Sequence, residues 1–117
     1  MIRYIIISLF LILLLSCKKD INYTIYYSVE IQPADYTKPY EAKIYYTNSE
    51  GKPTNQTITT TAWNASRFAR SDDNANIRVQ GIQNIALINV IVTINGKKYF
   101  NTCNELNCWV EVNENLH

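Results

Sequence analysis

The chain has 117 residues, with 11 basic and 10 acidic side chains and a formal net charge of +1. That length fits one domain, and a charge near zero gives no electrostatic reason to expect nucleic acid as a partner. The only histidine is His117, the last residue, which excludes His/Cys zinc clusters and Ser-His-Asp arrangements.

The chain opens with Met1-Ile2-Arg3-Tyr4 and continues as an apolar run to Leu15. The run is too short for an ordinary membrane span, which needs roughly 20 residues, but has the length of a secretory h-region, about 7–15 residues. Leu14-Leu15-Ser16-Cys17 resembles the lipobox of bacterial lipoprotein precursors. The resemblance implies that residues 1–16 are a signal peptide and that Cys17 becomes the lipidated N-terminus, carrying three acyl chains. Two or more chains anchor stably, because each buried methylene contributes roughly 0.8 kcal/mol. By the sorting rule of that family, Lys18 in place of aspartate points to the outer membrane, on its periplasmic or surface face. Cys17-Lys18-Lys19-Asp20 is similar to the short charged starts of Bacteroidota lipoproteins, and residues 17–20 read as a tether.

From residue 21 onward apolar residues alternate with period two. Ile21, Tyr23, Ile25, Tyr27, Val29 and Ile31 share one face of a long half-buried strand. Pro33 and Pro39 bracket a loop. Ala42, Ile44 and Tyr46 then alternate with Lys43, Tyr45 and Thr47, and Asn48-Ser49-Glu50-Gly51 reads as a hairpin turn. Thr57–Thr61 has β-propensity and leads to Ala62 and Trp63. Phe68 marks a short further segment, 71–74 a loop, and Ile77 and Val79 the next strand.

Asn95-Gly96 between two apolar runs is a strong hairpin signal. It pairs Ile94 with Lys97, Val92 with Tyr99 and Val90 with Asn101. With Cys17 assigned to lipid, Cys103 and Cys108 remain as an even pair in an oxidising compartment, so a disulfide is expected, with reduced thiols as the alternative. Set across a hairpin, that bond would oppose Asn101 to Val110 and Tyr99 to Val112, extending the pairing to a three-stranded meander. The opposite face would carry Ile85, Leu87, Ile91, Phe100 and Trp109.

About seven short strands and no helical stripe after Cys17 predict an all-β fold over residues 21–117. The expected form is an antiparallel immunoglobulin-like sandwich, with a small barrel as the alternative. The Tyr46–Gly51 turn and the Val92–Lys98 hairpin look like those of small Bacteroidota lipoproteins with such sandwiches. That resemblance implies no common catalytic residue.

No cofactor, metal site or catalytic set emerges. Asp72-Asp73 with Asn74 and Asn76 offers oxygens for calcium, though Asp-Asp-Asn is more often turn chemistry. Nine tyrosines and two tryptophans are more suggestive, because aromatics with a polar tip suit interfaces and sugar stacking. Tyr26, Tyr45, Trp63, Phe100 and Trp109 are the candidates for an exposed or partner-covered set. The alternative is that they cover the core or stabilise cross-strand pairs.

The expectation is a non-enzymatic, lipid-anchored envelope protein that binds or scaffolds another envelope component. One alternative is an inhibitor or immunity lipoprotein acting through loop 33–40 or 104–107. Another is glycan binding through the aromatic set.

Overall fold

A computed structural model describes residues 22–70 and 73–116; the signal segment, Cys17 and the proposed tether lie outside them. Eight strands follow in order: β1 (Asn22–Pro33), β2 (Glu41–Thr47), β3 (Pro53–Ile58), β4 (Ala62–Arg70), β5 (Asn74–Gln83), β6 (Ile85–Ile94), β7 (Lys97–Cys103) and β8 (Trp109–Asn115). They form two antiparallel four-stranded sheets, ordered β4-β1-β6-β7 and β3-β2-β5-β8. The fold is therefore the expected sandwich and not a closed barrel, with eight strands instead of seven.

The alternation in the sequence becomes the two sides of each sheet. Ile25, Tyr27, Val29 and Ile31 of β1 turn inward, as do Ala42 and Ile44 of β2, Ala75, Ile77 and Val79 of β5, and Val110 and Val112 of β8. Ile88, Val90, Val92 and Ile94 of β6 complete the central layer. Burying one such β-branched side chain contributes roughly 1.5–3 kcal/mol, so the two inner faces supply most of the driving force.

Strands β1 to β5 neighbour one another as strands B, C, C′, E and F of an immunoglobulin-like sandwich do. β8 lies beside β5, where strand G would lie. The hairpin β6–β7 is the departure: it fills the other side of β1.

The two halves of the chain follow the same path with the sheets exchanged, since β4-β1-β6-β7 becomes β8-β5-β2-β3 when β1–β4 and β5–β8 are swapped. One consequence is an asymmetry of ends. The connections β1–β2, β3–β4, β5–β6 and β7–β8 all cross between the sheets at one end, here termed the crossover end. The other end carries the start of β1, the hairpin turns 48–52 and 95–96, and one remaining crossing, from β4 to β5.

Those turns are built as the sequence implies. Asn95 (φ 48°) and Gly96 (φ 86°) both take the positive φ that a tight hairpin requires. The expected register holds, with Ile94 opposite Lys97, Val92 opposite Tyr99 and Val90 opposite Asn101. Asn48 Oδ1 accepts hydrogen bonds from the backbone N–H groups of Glu50 and Lys52, closing the other turn.

The C-terminal meander is corrected. β8 does not pair with β7; it pairs with β5, setting Val110 opposite Val79 and Val112 opposite Ile77. The Cys103–Cys108 disulfide forms, with Cα atoms 6.3 Å apart, but it ties the end of β7 to the residue just before β8, an edge strand of the other sheet. The four residues between the cysteines are enough to span stacked sheets roughly 10 Å apart. Inward alternation of Val110 and Val112 looks the same in either arrangement, so the pattern could not separate them.

Three smaller expectations change too. Ile85 faces the core, because the ladder shifts between Gln32 and Pro33 and reverses the alternation at the start of β6. Thr57–Thr61 is divided: β3 ends at Ile58, and 59–61 cross to the other sheet. Phe68 is not a separate segment but an outward residue of the continuous strand β4, 76% exposed.

Candidate functional site

The five aromatic candidates do not converge on one surface. On the outer face of β3-β2-β5-β8, Tyr45 lies opposite Arg78, and Arg78 opposite Glu111. The Arg78 guanidinium carbon is 4.9 Å from the Trp109 ring centre and 5.9 Å from that of Tyr45. Lys43 Nζ is 5.3 Å from the Tyr45 ring centre. The result is a cross-strand ladder of alternating cations and rings. Each exposed cation–ring contact is worth about 0.5–1 kcal/mol.

Tyr26 and Phe100 are on the outer face of the other sheet. Tyr26 stands between Ser66 and Thr93, while Phe100, opposite Ile91, is 78% exposed. Trp63 closes the seam between edge strands β4 and β3. It is half-buried, meets Tyr46 edge-on at 4.9 Å, and donates from Nε1 to Gln56 Oε1 at 3.3 Å. Only Tyr45 and Trp109 are brought together, through Arg78.

The crossover end holds a more organised arrangement. Asn84 is the single residue between β5 and β6, at φ 57°. Its Nδ2 donates to the carbonyls of Asp35 (2.8 Å) and Lys38 (3.2 Å), and its Oδ1 accepts from Asp35 N–H at 2.9 Å. Its own carbonyl accepts from Ala34 N–H at 3.1 Å. Within the 34–40 loop, Asp35 Oδ1 accepts from both Thr37 Oγ1 and Thr37 N–H, and these bonds hold the Asp35 carboxyl below its ordinary pKa.

Asn107, at φ 52°, binds the third loop in the same manner. Its Oδ1 accepts from Ile85 N–H at 3.0 Å, and its N–H donates to the Ile85 carbonyl at 2.8 Å. Gly81 N–H donates to the Cys108 carbonyl at 2.9 Å. A Cβ on Gly81 would lie 2.8 Å from the Asn107 Cα, so only glycine allows this approach. Loops 34–40, 84 and 104–108 are thus fastened into one unit by two asparagines and a disulfide. The sequence contained the signal for Asn107 and Asn84 only as asparagines flanking strands, a common context.

At the other end the sandwich encloses a charge. Arg67 occupies an inward position of β4 with its side chain 2% exposed, paired with the Asp73 carboxylate. Among the described residues its Nε and Nη1 find no hydrogen-bond partner, and neither does the adjacent Tyr27 hydroxyl. Burial pushes the Tyr27 phenol above its ordinary pKa, an effect that the nearby Arg67 opposes. Of the suggested calcium ligands, Asp72 lies outside the described residues. Asp73 is taken up by Arg67 and by the backbone N–H of Asn74. Among the described residues, no group of three or more His, Cys, Asp or Glu stands close enough to hold a metal ion.

No protein-family model matches the chain, and no curated protein sequence matches it. Among solved structures it is similar to a crystal structure of Clostridium perfringens alpha-toxin from an avian strain, at 13% identity and a TM-score of 0.37. The match covers 82% of this chain but only 31% of the toxin chain.

Proposed function

We propose that the protein is a lipid-anchored envelope module that binds another envelope component and carries out no catalysis itself. The anchor is the lipid on Cys17, and the membrane is the outer one. The observation that carries the reading is the polarity of the sandwich. Asn22, five residues after Cys17, begins β1 at the end opposite the fastened crossover loops. A lipid there leaves the whole domain, and the organised loops in particular, facing away from the bilayer. Loops held on a rigid scaffold are where binding functions concentrate.

The test is metabolic labelling with a fatty-acid analogue, together with detergent-phase partition of the full chain. The wild type is expected to take the label and enter the detergent phase, while Cys17→Ser does neither. Equal labelling of both forms would overturn the reading.

A second reading is glycan binding, favoured by the Tyr45–Arg78–Trp109 ladder. Rings exposed on the outer sheet face, flanked by Asn55, Asn76 and Gln80, offer stacking and amide hydrogen bonds to a sugar. Tyr45→Ala and Trp109→Ala would each abolish glycan-array signals if this reading holds, and a blank array with the wild type would remove it.

A further inference from the structure

We infer that the crossover end is the docking surface, and that its occupant is an uncharged cleft of a second folded protein, entered by Tyr36 and Leu106. The inference deepens the binding role proposed above and rests on that reading.

Three observations carry it. The first is exposure: Tyr36 is 72% exposed, Leu106 68% and Ile82 45%, on or beside the loops fastened by Asn84 and Asn107. A scattered apolar residue on a surface is unremarkable, but these stand on adjoining loops at one tip. The second is preorganisation. Loop 34–40 is held by Asn84 and by its own Asp35–Thr37 turn, while 104–108 is held by the disulfide, Asn107 and the Gly81 contact. Little conformational entropy remains to be lost on docking, which favours affinity for a rigid partner. The third is charge. Asp35 and Lys38 face each other at 3.9 Å within one loop, leaving Glu105 as the remaining charge on these loops. A strongly charged partner would find little to pair with. An uncharged cleft that buries a tyrosine and a leucine fits, and such central anchors dominate binding energy at interfaces.

The test is site-specific photocrosslinking in intact native cells making the full chain. Benzoylphenylalanine is placed at Tyr36 or Leu106, and, for comparison, at Phe68 or Phe100. The expected result is an adduct with one and the same protein from positions 36 and 106, and none from 68 and 100. Leu106→Asp should reduce the adduct formed from position 36 about tenfold or more, whereas Phe100→Asp leaves it intact. Leu106→Ser, a milder change in the same exposed loop, replaces the aspartate variant if that variant does not fold.

Adducts from 68 and 100 in place of 36 and 106 would overturn the inference. So would an adduct indifferent to Leu106 substitution, an adduct with a second copy of this chain or with a glycan, or no adduct at all. Membrane fractionation of the same cells separates the two proposals. Failure of the anchor reading leaves the protein soluble with its tip adduct present; failure of the docking inference leaves it in the membrane without one.

Discussion

Asn84 and Asp35, 49 residues apart, exchange two hydrogen bonds: Asp35 N–H donates to Asn84 Oδ1 at 2.9 Å, and Asn84 Nδ2 donates to the Asp35 carbonyl at 2.8 Å. One side chain thereby completes the backbone of a loop that no strand supports. Asn84→Ala removes these bonds and places a Cβ residue without a stabilising amide at φ 57°. The left-handed conformation alone costs roughly 1–2 kcal/mol. Urea unfolding should show a loss of about 2–3 kcal/mol. Asn84→Gly should recover the backbone part only, and amide exchange in 34–40 should accelerate in both variants.

The Arg67–Asp73 pair is costly to break from one side, because Arg67 is buried. Asp73→Asn leaves a guanidinium buried without its counter-charge and should destabilise by about 2–4 kcal/mol, toward the lower part of the usual range because Asp73 is itself 36% exposed. Arg67→Met in the Asp73→Asn background should restore most of the loss, since an apolar side chain of similar volume needs no partner. Denaturant midpoints of the two variants check both statements.

Cys103→Ala with Cys108→Ala opens a loop of few residues, so the chain-entropy contribution lost is only about 2 kcal/mol. The local effect should exceed the global one. Amides in 104–108 and at Gly81 should lose protection, because Gly81 donates to the Cys108 carbonyl, while the β6–β7 hairpin closed by Asn95-Gly96 keeps its own.

Tyr27 governs the alkaline limb. Burial raises its pKa above 10.0, so the folded state holds the phenolic proton more tightly than the unfolded chain does. Its contribution is fully present below about pH 10 and is lost as the pH rises through the folded value. Tyr27→Phe removes a buried hydroxyl that stands beside Arg67 and makes no well-formed hydrogen bond among the described residues, so it should change stability at pH 7 by less than about 1 kcal/mol and should flatten the decline above pH 10. Unfolding curves collected across that range measure the slope.

Much of the sandwich was legible because its signals are local. β1 could be read from Ile25, Tyr27, Val29 and Ile31, and the β6–β7 register from two turn residues with positive φ. The choice of sheet was not legible. Alternation records which side of a strand is buried, and β8 buries Val110 and Val112 whether it lies beside β7 or across the core from it. β4 was hidden for a different reason. Its inward row is Trp63, Ala65, Arg67 and Ala69, in which a paired arginine stands where an apolar residue would mark the strand. The crossover-end network was not legible either. Asn84 and Asn107 act through distant backbone groups that only the folded chain brings within reach.

The orientation of the domain on the membrane tests the account most directly. The lipidated protein is reconstituted in vesicles containing a headgroup-linked quencher, with a fluorophore attached at position 49 or 97, at the hairpin end, or at 36 or 106, at the crossover end. Strong quenching at 49 and 97 with little at 36 and 106 is the predicted result. Equal quenching at all four positions, or stronger quenching at 36 and 106, would contradict it.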